Sequence, residues 1–400
     1  MRRIAAAIAI LLVIGASAQV RAEQTSATPK RNLYQYTSCL IDSDGDGLAD
    51  CYETNTHVYV SPTNTGTDPT VADTDDDGLL DGEEVNGTSG GLNLPAFGVN
   101  PLHKDILLEY DWMKDSDCAT GMHSHKPTQA MVDRVADMFA NAPVSNPDGT
   151  TGIHVFQDVL FGPSGSPNSA SNYIPDADGW ITGDIFTPGG EYQTYESNYF
   201  PANRHGYFHY VIFAHYYTRQ QGSSGEASIG GHEMLITLGC GYASTTEVAN
   251  TIAHELGHNL GLLHGGDESC NYKPNYNSIM NYRFQFTGVY TCAMQLTGDA
   301  NFSRGTRRLL QESSLYEPDG VCLFGVGPGG PPPIDWNVNS TIDTFTYALR
   351  LRPATDSSCP GGAGTNVYYD LHDFNDWGNI HLSGVNHAST TLVDCAPVPL

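Results

Sequence analysis

The stretch HELGHNLGLLHGG at residues 254–266 carries three histidines, a glutamate and a glycine between the second and third histidine. If the segment is helical, His254 and His258 stand four residues apart, so both imidazoles project from one side about a turn from each other. That is the spacing two neutral imidazoles need to share one zinc ion. Gly261 would end the helix and let the chain turn, bringing His264 in as a third nitrogen ligand. Three histidines leave a fourth position open, as in a catalytic rather than a closed structural zinc site. Glu255, next to the first ligand, is placed to take the proton of an attacking water and pass it on to a leaving amine. Zinc would polarise the carbonyl and make water acidic enough to attack near neutral pH.

The helix that must hold these groups is legible upstream. Ser244-x-x-Glu247 is a capping box, and Val248, Ile252 and Leu256 repeat every four residues beside Ala249 and Ala253. The pattern H-E-x-x-H-x-x-G-x-x-H resembles the signature of the metzincin metalloendopeptidases, of the secreted, bacterial type. The resemblance extends to YNSIMNY at 276–282, which is similar to their Met-turn and makes Met280 the apolar floor beneath the histidines. Tyr282, two residues past that methionine, is similar to a tyrosine of astacins and serralysins that ligates zinc and swings to stabilise the transition state. Gly265, after His264, matches neither the glutamate of astacins nor the proline of serralysins, so no subfamily is assigned, and no cysteine-switch propeptide is recognisable. The resemblance implies an α+β fold: a twisted mixed sheet with the active-site helix, then a C-terminal subdomain with the Met-turn. It also implies a substrate-binding edge strand upstream, for which EASIGGHEMLITLG (226–239) is the candidate; a peptide would add there through its backbone. His232 and Glu233 within it are read as strand-surface residues.

Two further segments carry oxygen chemistry. DSDGDGLADCYE begins at Asp42 and DTDDDGLLDGEE at Asp73. Carboxylates fall at loop positions 1, 3, 5, 9 and 12: Asp42, Asp44, Asp46, Asp50 and Glu53, then Asp73, Asp75, Asp77, Asp81 and Glu84. Gly47 and Gly78 occupy the sharp turn, and Leu48 and Leu79 follow where a backbone carbonyl would coordinate. Oxygen-only ligation of this density selects calcium. SPTNTGTDPTVA, before the second loop, has two prolines and cannot form the entering helix of an EF-hand. The repeat resembles thrombospondin type 3 calcium repeats, which implies a stiff, calcium-ordered spacer over residues 39–100. DWNVNSTID, from Asp335, is a degenerate version with Ser340 where glycine is expected.

The chain of 400 residues has 45 acidic and 18 basic side chains and a formal charge of −27, which excludes a nucleic-acid partner and an anionic membrane surface. Residues 1–18 read as a secretory signal peptide: Arg2 and Arg3, an apolar run from Ile4 to Ile14, then Ala16-Ser17-Ala18, with Val20-Arg21-Ala22 as a second cleavage choice. The expected protein is secreted and extracellular, or periplasmic. Its nine cysteines should mostly pair there, leaving at least one over. Cys39–Cys51 and Cys270–Cys292 are the expected local pairs; Cys118 is read as a disulfide partner, and His123 and His125 as ordinary polar residues. A polar lead covers 19–38, and the catalytic domain is expected over 101–324. Within it, 104–113, 206–217 and 226–239 read as strands and 126–143 as a helix. A Gly/Pro linker at 325–333 and a C-terminal segment at 334–400 of unassigned role complete the chain.

The expected function is a secreted zinc endopeptidase with structural calcium, acting on protein or peptide substrates. Two alternatives remain: a calcium-dependent adhesion protein on a metalloprotease-like fold, or a zinc hydrolase of a non-peptide amide or a glycosylated peptide. No G-x-S-x-G, Walker A or GxGxxG pattern supports a serine hydrolase or a nucleotide-binding protein.

Overall fold

A computed structural model describes residues 39–118, 121–159, 169–176, 178–219, 221–240, 244–323, 330–383 and 391–394. The expected signal peptide, the polar lead, most of the linker and Cys395 lie outside them.

In chain order the elements are α1 (Asp81–Asn86), β1 (Asp105–Trp112), β2 (Lys114–Asp115), β3 (His123–Ser124), α2 (Gln129–Ala140), β4 (His154–Asp158) and β5 (Trp180–Ile181). These are followed by α3 (Glu191–Tyr199), β6 (Phe208–Phe213), β7 (Tyr216–Tyr217), β8 (Gly225–Ser228), β9 (Glu233–Ile236) and α4 (Thr245–Asn259). Last come β10 (Leu310–Gln311), β11 (Asp370–Leu371) and β12 (Leu392–Asp394). The main sheet runs β4-β1-β6-β9-β8-β12. Pairings from β4 to β9 are parallel, and β8 is antiparallel to both β9 and β12.

β1 and β6 are buried along their whole length, because both faces of a mostly parallel sheet are covered. Alternate residues feed two cores. Leu108, Tyr110, Val211 and Phe213 face α2 and α4, joining Val135, Phe139, Ile252, Leu256 and Met280. Leu107, Phe208, Tyr210 and Ile212 face the other way, with Tyr192 of α3.

Leu79, Leu92, Leu94 and Phe97 belong to this second core, so the later acidic loop is docked on the sheet rather than standing clear of it. Polar contacts fasten the same junction: the Asp105 N–H donates to Asp77 (2.6 Å) and the Tyr207 hydroxyl to Glu83 (2.8 Å).

The segment expected to be one strand at 226–239 is a hairpin. Gly230 has φ 65° and, with Gly231, turns the chain between β8 and β9. Cys39–Cys51 forms, but Cys270 bonds to Cys359 and Cys292 to Cys322, correcting the expected Cys270–Cys292 pair. The chain between 270 and 292 is spent on the Met280 turn, and Cys292 leaves it beside the Arg307–Cys322 bridge. Cys118 pairs with Cys240. Cys270, Cys322 and Cys359 line a third core with Leu310, Leu315 and Leu371. Trp377 and Leu382 enter the first core, so much of the C-terminal segment packs on the sheet and α4. Asp335 takes the Ser340 N–H (2.7 Å), with Ser340 at φ 71°, the conformation glycine would hold more easily.

Leu94 is fully buried between loop and sheet. Leu94→Ala is expected to cost about 2–5 kcal/mol of stability, read as a fall in the urea midpoint; a change below about 0.5 kcal/mol would mean the loop is not docked there.

Candidate active site

Three local devices place the histidines. The Ser244 hydroxyl accepts the Glu247 N–H (3.1 Å) and bonds its carboxylate (2.9 Å), which starts α4. At the other end Gly261, with φ 94°, closes a Schellman motif: its N–H reaches His258 O and the Leu262 N–H reaches Gly257 O, each at 2.9 Å. The turn frees the Leu262 carbonyl to accept from His258 Nδ1 (2.7 Å) and carries His264 back over the helix. His254 Nδ1 lies 2.7 Å from the Ile279 carbonyl, one residue before Met280.

Both Nδ1 atoms are therefore donors, and the Nε2 lone pairs point inward. His258 Nε2 stands 3.2 Å from the Nε2 of His254 and of His264. Burial holds all three imidazoles neutral: His258 is lowered to about 4, and His254 and His264 fall well below their ordinary range. Lone pairs that cannot hydrogen-bond to each other face one another, so the donor set fits a zinc ion.

Met280 lies against Gly257, between the first two histidines, where any Cβ would run into its sulfur. The Tyr282 ring is 4.2 Å from that of His264 and 6.1 Å from that of His254, and its N–H donates to Asn271 Oδ1 (3.0 Å). Glu255 is fully buried, its carboxylate pressed on Gly225 of β8, where a side chain would collide with it. Gly225 was not singled out in the sequence; a glycine inside a strand is its only signal. Asn259 fixes the far end of α4 by donating to the carbonyls of Ser228 (2.8 Å) and Glu233 (3.1 Å). His232 bonds Glu196 (2.8 Å), and Glu233 accepts from Ser228 (2.6 Å). Gly265 has no room for a side chain, since a Cβ would meet the carbonyls of Cys270 and Glu268. The outer edge of β8, expected to be open to substrate, is paired with β12.

Residues 181–325 match the sequence profile of the reprolysin (M12B) family of zinc metalloproteases. That match points to a metzincin-clan zinc protease, and zinc-dependent endopeptidase activity is what the family implies. A comparison with curated proteins finds no match. The matched stretch holds β5 to α4 and the Met280 turn, including all three histidines and Glu255.

The acidic loops are built alike. Asp42 accepts from Gly45 and Gly47 (2.7 and 3.1 Å), and Asp73 from Asp76 and Gly78 (2.7 and 2.8 Å). Asp46 and Asp77 take the N–H groups of Leu48 and Leu79. The carboxylates of Asp50 and Asp81 are engaged by Ser43 and Thr74 through N–H and hydroxyl, latching each loop. Asp44 Oδ2, Glu53 Oε2 and both carboxylate oxygens of Asp75 and Glu84 are buried without a hydrogen-bond partner among the described residues. Such oxygens fit a hard cation. Burial first, then Asp46 and Asp44, pushes Glu53 up to about 8; burial and Asp73 push Asp75 to about 8. Asp77 and Glu84 are raised well above the carboxylate range, by burial and by each other's neighbours, including Asp105. Asp105 opens β1 and carries no loop motif, so sequence spacing gave no sign of it.

These shifts set a sign. Raised carboxyl values penalise the folded state as pH climbs from the ordinary range, 3.8 for Asp75 and 4.5 for Glu53, to about 8. In chelator the melting temperature is expected to fall across that window, and calcium to remove most of the fall. Identical melting curves with and without calcium at pH 8 would mean that these oxygens bind no ion.

Proposed function

We propose that the protein is an exported zinc endopeptidase in which His254, His258 and His264 hold the metal and Glu255 is the general base. The observation that carries this reading is the convergence of three neutral Nε2 atoms, that of His258 lying 3.2 Å from each of the others, with the buried Glu255 next in sequence to the first. Zinc bound there supplies Lewis acidity, making water a nucleophile near neutral pH and polarising the scissile carbonyl. Glu255 takes the proton of the attacking water and returns it to the departing amine. Held on a helix tied at both ends, it needs no reorganisation to do so. Tyr282, its ring tilted against that of His264, would donate a hydrogen bond to the developing oxyanion. Met280 keeps the underside of the site dry and rigid.

The two acidic loops complete the proposal as structural calcium sites, with Asp42, Asp44, Asp46, Glu53, Asp73, Asp75, Asp77 and Glu84 supplying carboxylate oxygens and Leu48 and Leu79 their carbonyls. Four disulfides among the described residues support export, and no described helix is long and apolar enough to cross a membrane. Neither the adhesion protein nor the non-peptide hydrolase is favoured by the family match.

A peptide-library digest tests the activity. Glu255→Ala is expected to lower turnover by about 10²–10⁴-fold while zinc content is unchanged; near-normal cleavage by that variant would refute the mechanism. Tyr282→Phe should lower kcat with little change in KM, and an equal loss in both would count against a transition-state role.

A further inference from the structure

We infer that Asp115, His125 and His215, with His123 beside them, form a second transition-metal site, separate from the catalytic histidines. Three chain segments meet here. Asp115 lies in β2, His123 and His125 at the return strand β3 and just after it, and His215 between β6 and β7. Asp115 Oδ2 contacts His125 Nε2 and stands 3.0 Å from His215 Nδ1. The side chains of Asp115 and His125 are fully buried and that of His215 nearly so.

His215 Nδ1 and Asp115 Oδ2, 3.0 Å apart, are near the separation of two ligands on one ion, while His125 Nε2 is in closer, hydrogen-bonding contact with the same oxygen. Ligand atoms of a tetrahedral zinc, each roughly 2.1 Å from the metal, are about 3.4 Å apart. The catalytic Nε2 atoms are separated by 3.2 Å. The His123–His125 and His125–His215 centroids are 4.8 and 5.4 Å apart and edge-to-face. In the catalytic triad the pairs are separated by 4.8, 4.8 and 5.4 Å. Two imidazoles and a carboxylate, with a third imidazole adjacent, are a donor set for zinc or a similar borderline dication rather than for calcium.

The groups are also held in place from outside. The other Asp115 oxygen accepts the Asp117 N–H (3.0 Å), the His125 N–H donates to Met113 O (3.1 Å) and the His215 N–H to Gly179 O (2.7 Å). The last two are backbone bonds, which fix the main chain that carries the two imidazoles. Among the described residues, the partners of the Asp115 carboxylate are two imidazoles and one backbone N–H, with no fixed positive charge among them. A fully buried carboxylate needs compensation, and a dication supplies it. The fold has a use for the ion, because β2 and β3 are two residues each, too short to hold their hairpin alone. With the Cys118–Cys240 bond, the metal would pin that hairpin to the end of β6.

Metal content of the untagged full-length protein, measured by mass spectrometry after exhaustive dialysis, tests the site. Two zinc equivalents per chain are expected. His258→Ala should keep one, and Asp115→Asn combined with His125→Ala should lose the other while His254, His258 and His264 retain theirs. One equivalent in the native protein, abolished by His258→Ala, would leave the cluster an ion pair and overturn the inference. Two equivalents that both survive the Asp115/His125 double variant would overturn it equally. A single equivalent that survives His258→Ala but not the double variant would support this site and sink the catalytic assignment instead. Should the double variant fail to fold, the native and His258→Ala values decide the matter.

Discussion

Two hydrogen bonds donated by buried imidazoles organise the three-histidine site. His254 Nδ1 to Ile279 O and His258 Nδ1 to Leu262 O fix both tautomers and turn the opposite nitrogens inward. Each also ties α4 to a segment that follows it, one to the turn bearing Met280 and the other to the turn bearing His264. The glycines are consequences of this closeness. Gly257 lets Met280 lie against the helix, Gly261 reverses the chain, and Gly225 lets β8 pass the Glu255 carboxylate. A larger residue at any of the three would separate groups that the chemistry needs together.

Charge is managed by the same rule at a larger scale. A chain carrying −27 does not spread its carboxylates evenly over the surface. Asp46, Glu53, Asp75, Asp77, Asp81 and Glu84 are all buried, and several have an oxygen without a partner among the described residues. Like charges at this density are relieved by protonation or by a bound cation. Because Leu79, Leu92, Leu94 and Phe97 share a core with β1 and β6, ordering the second loop also supports the sheet behind the active site.

Local signals made much of this readable. The α4 cap, the four-residue apolar spacing and the glycine at 261 act within one or two turns of chain, so sequence spacing exposes them. The acidic loops are equally local, as are the continuous apolar runs of β1 and β6. What escaped depended on distant segments. Cys270 finds Cys359 across 89 residues, and Asp105 joins a loop that ends at Glu84, 21 positions earlier in the chain. His123 and His125 look ordinary until His215 and Asp115 are brought to them by the sheet. The 226–239 hairpin escaped for a smaller reason: Gly230-Gly231 interrupts an apolar run without breaking its composition.

The pairing of β12 with β8 has a kinetic meaning. Leu392 lies opposite Ser228 and Asp394 opposite Glu226, and the Ile229 N–H donates to Thr391 O (3.0 Å). One row of backbone donors and acceptors can serve only one neighbour. A peptide that adds to β8 must first peel away the protein's own strand, which competes at an effective concentration on the order of millimolar. Short peptides that offer only a few backbone pairings are then outcompeted by the tether. If the protein cleaves peptides along this edge, only chains with enough backbone pairings to displace the tether would be engaged.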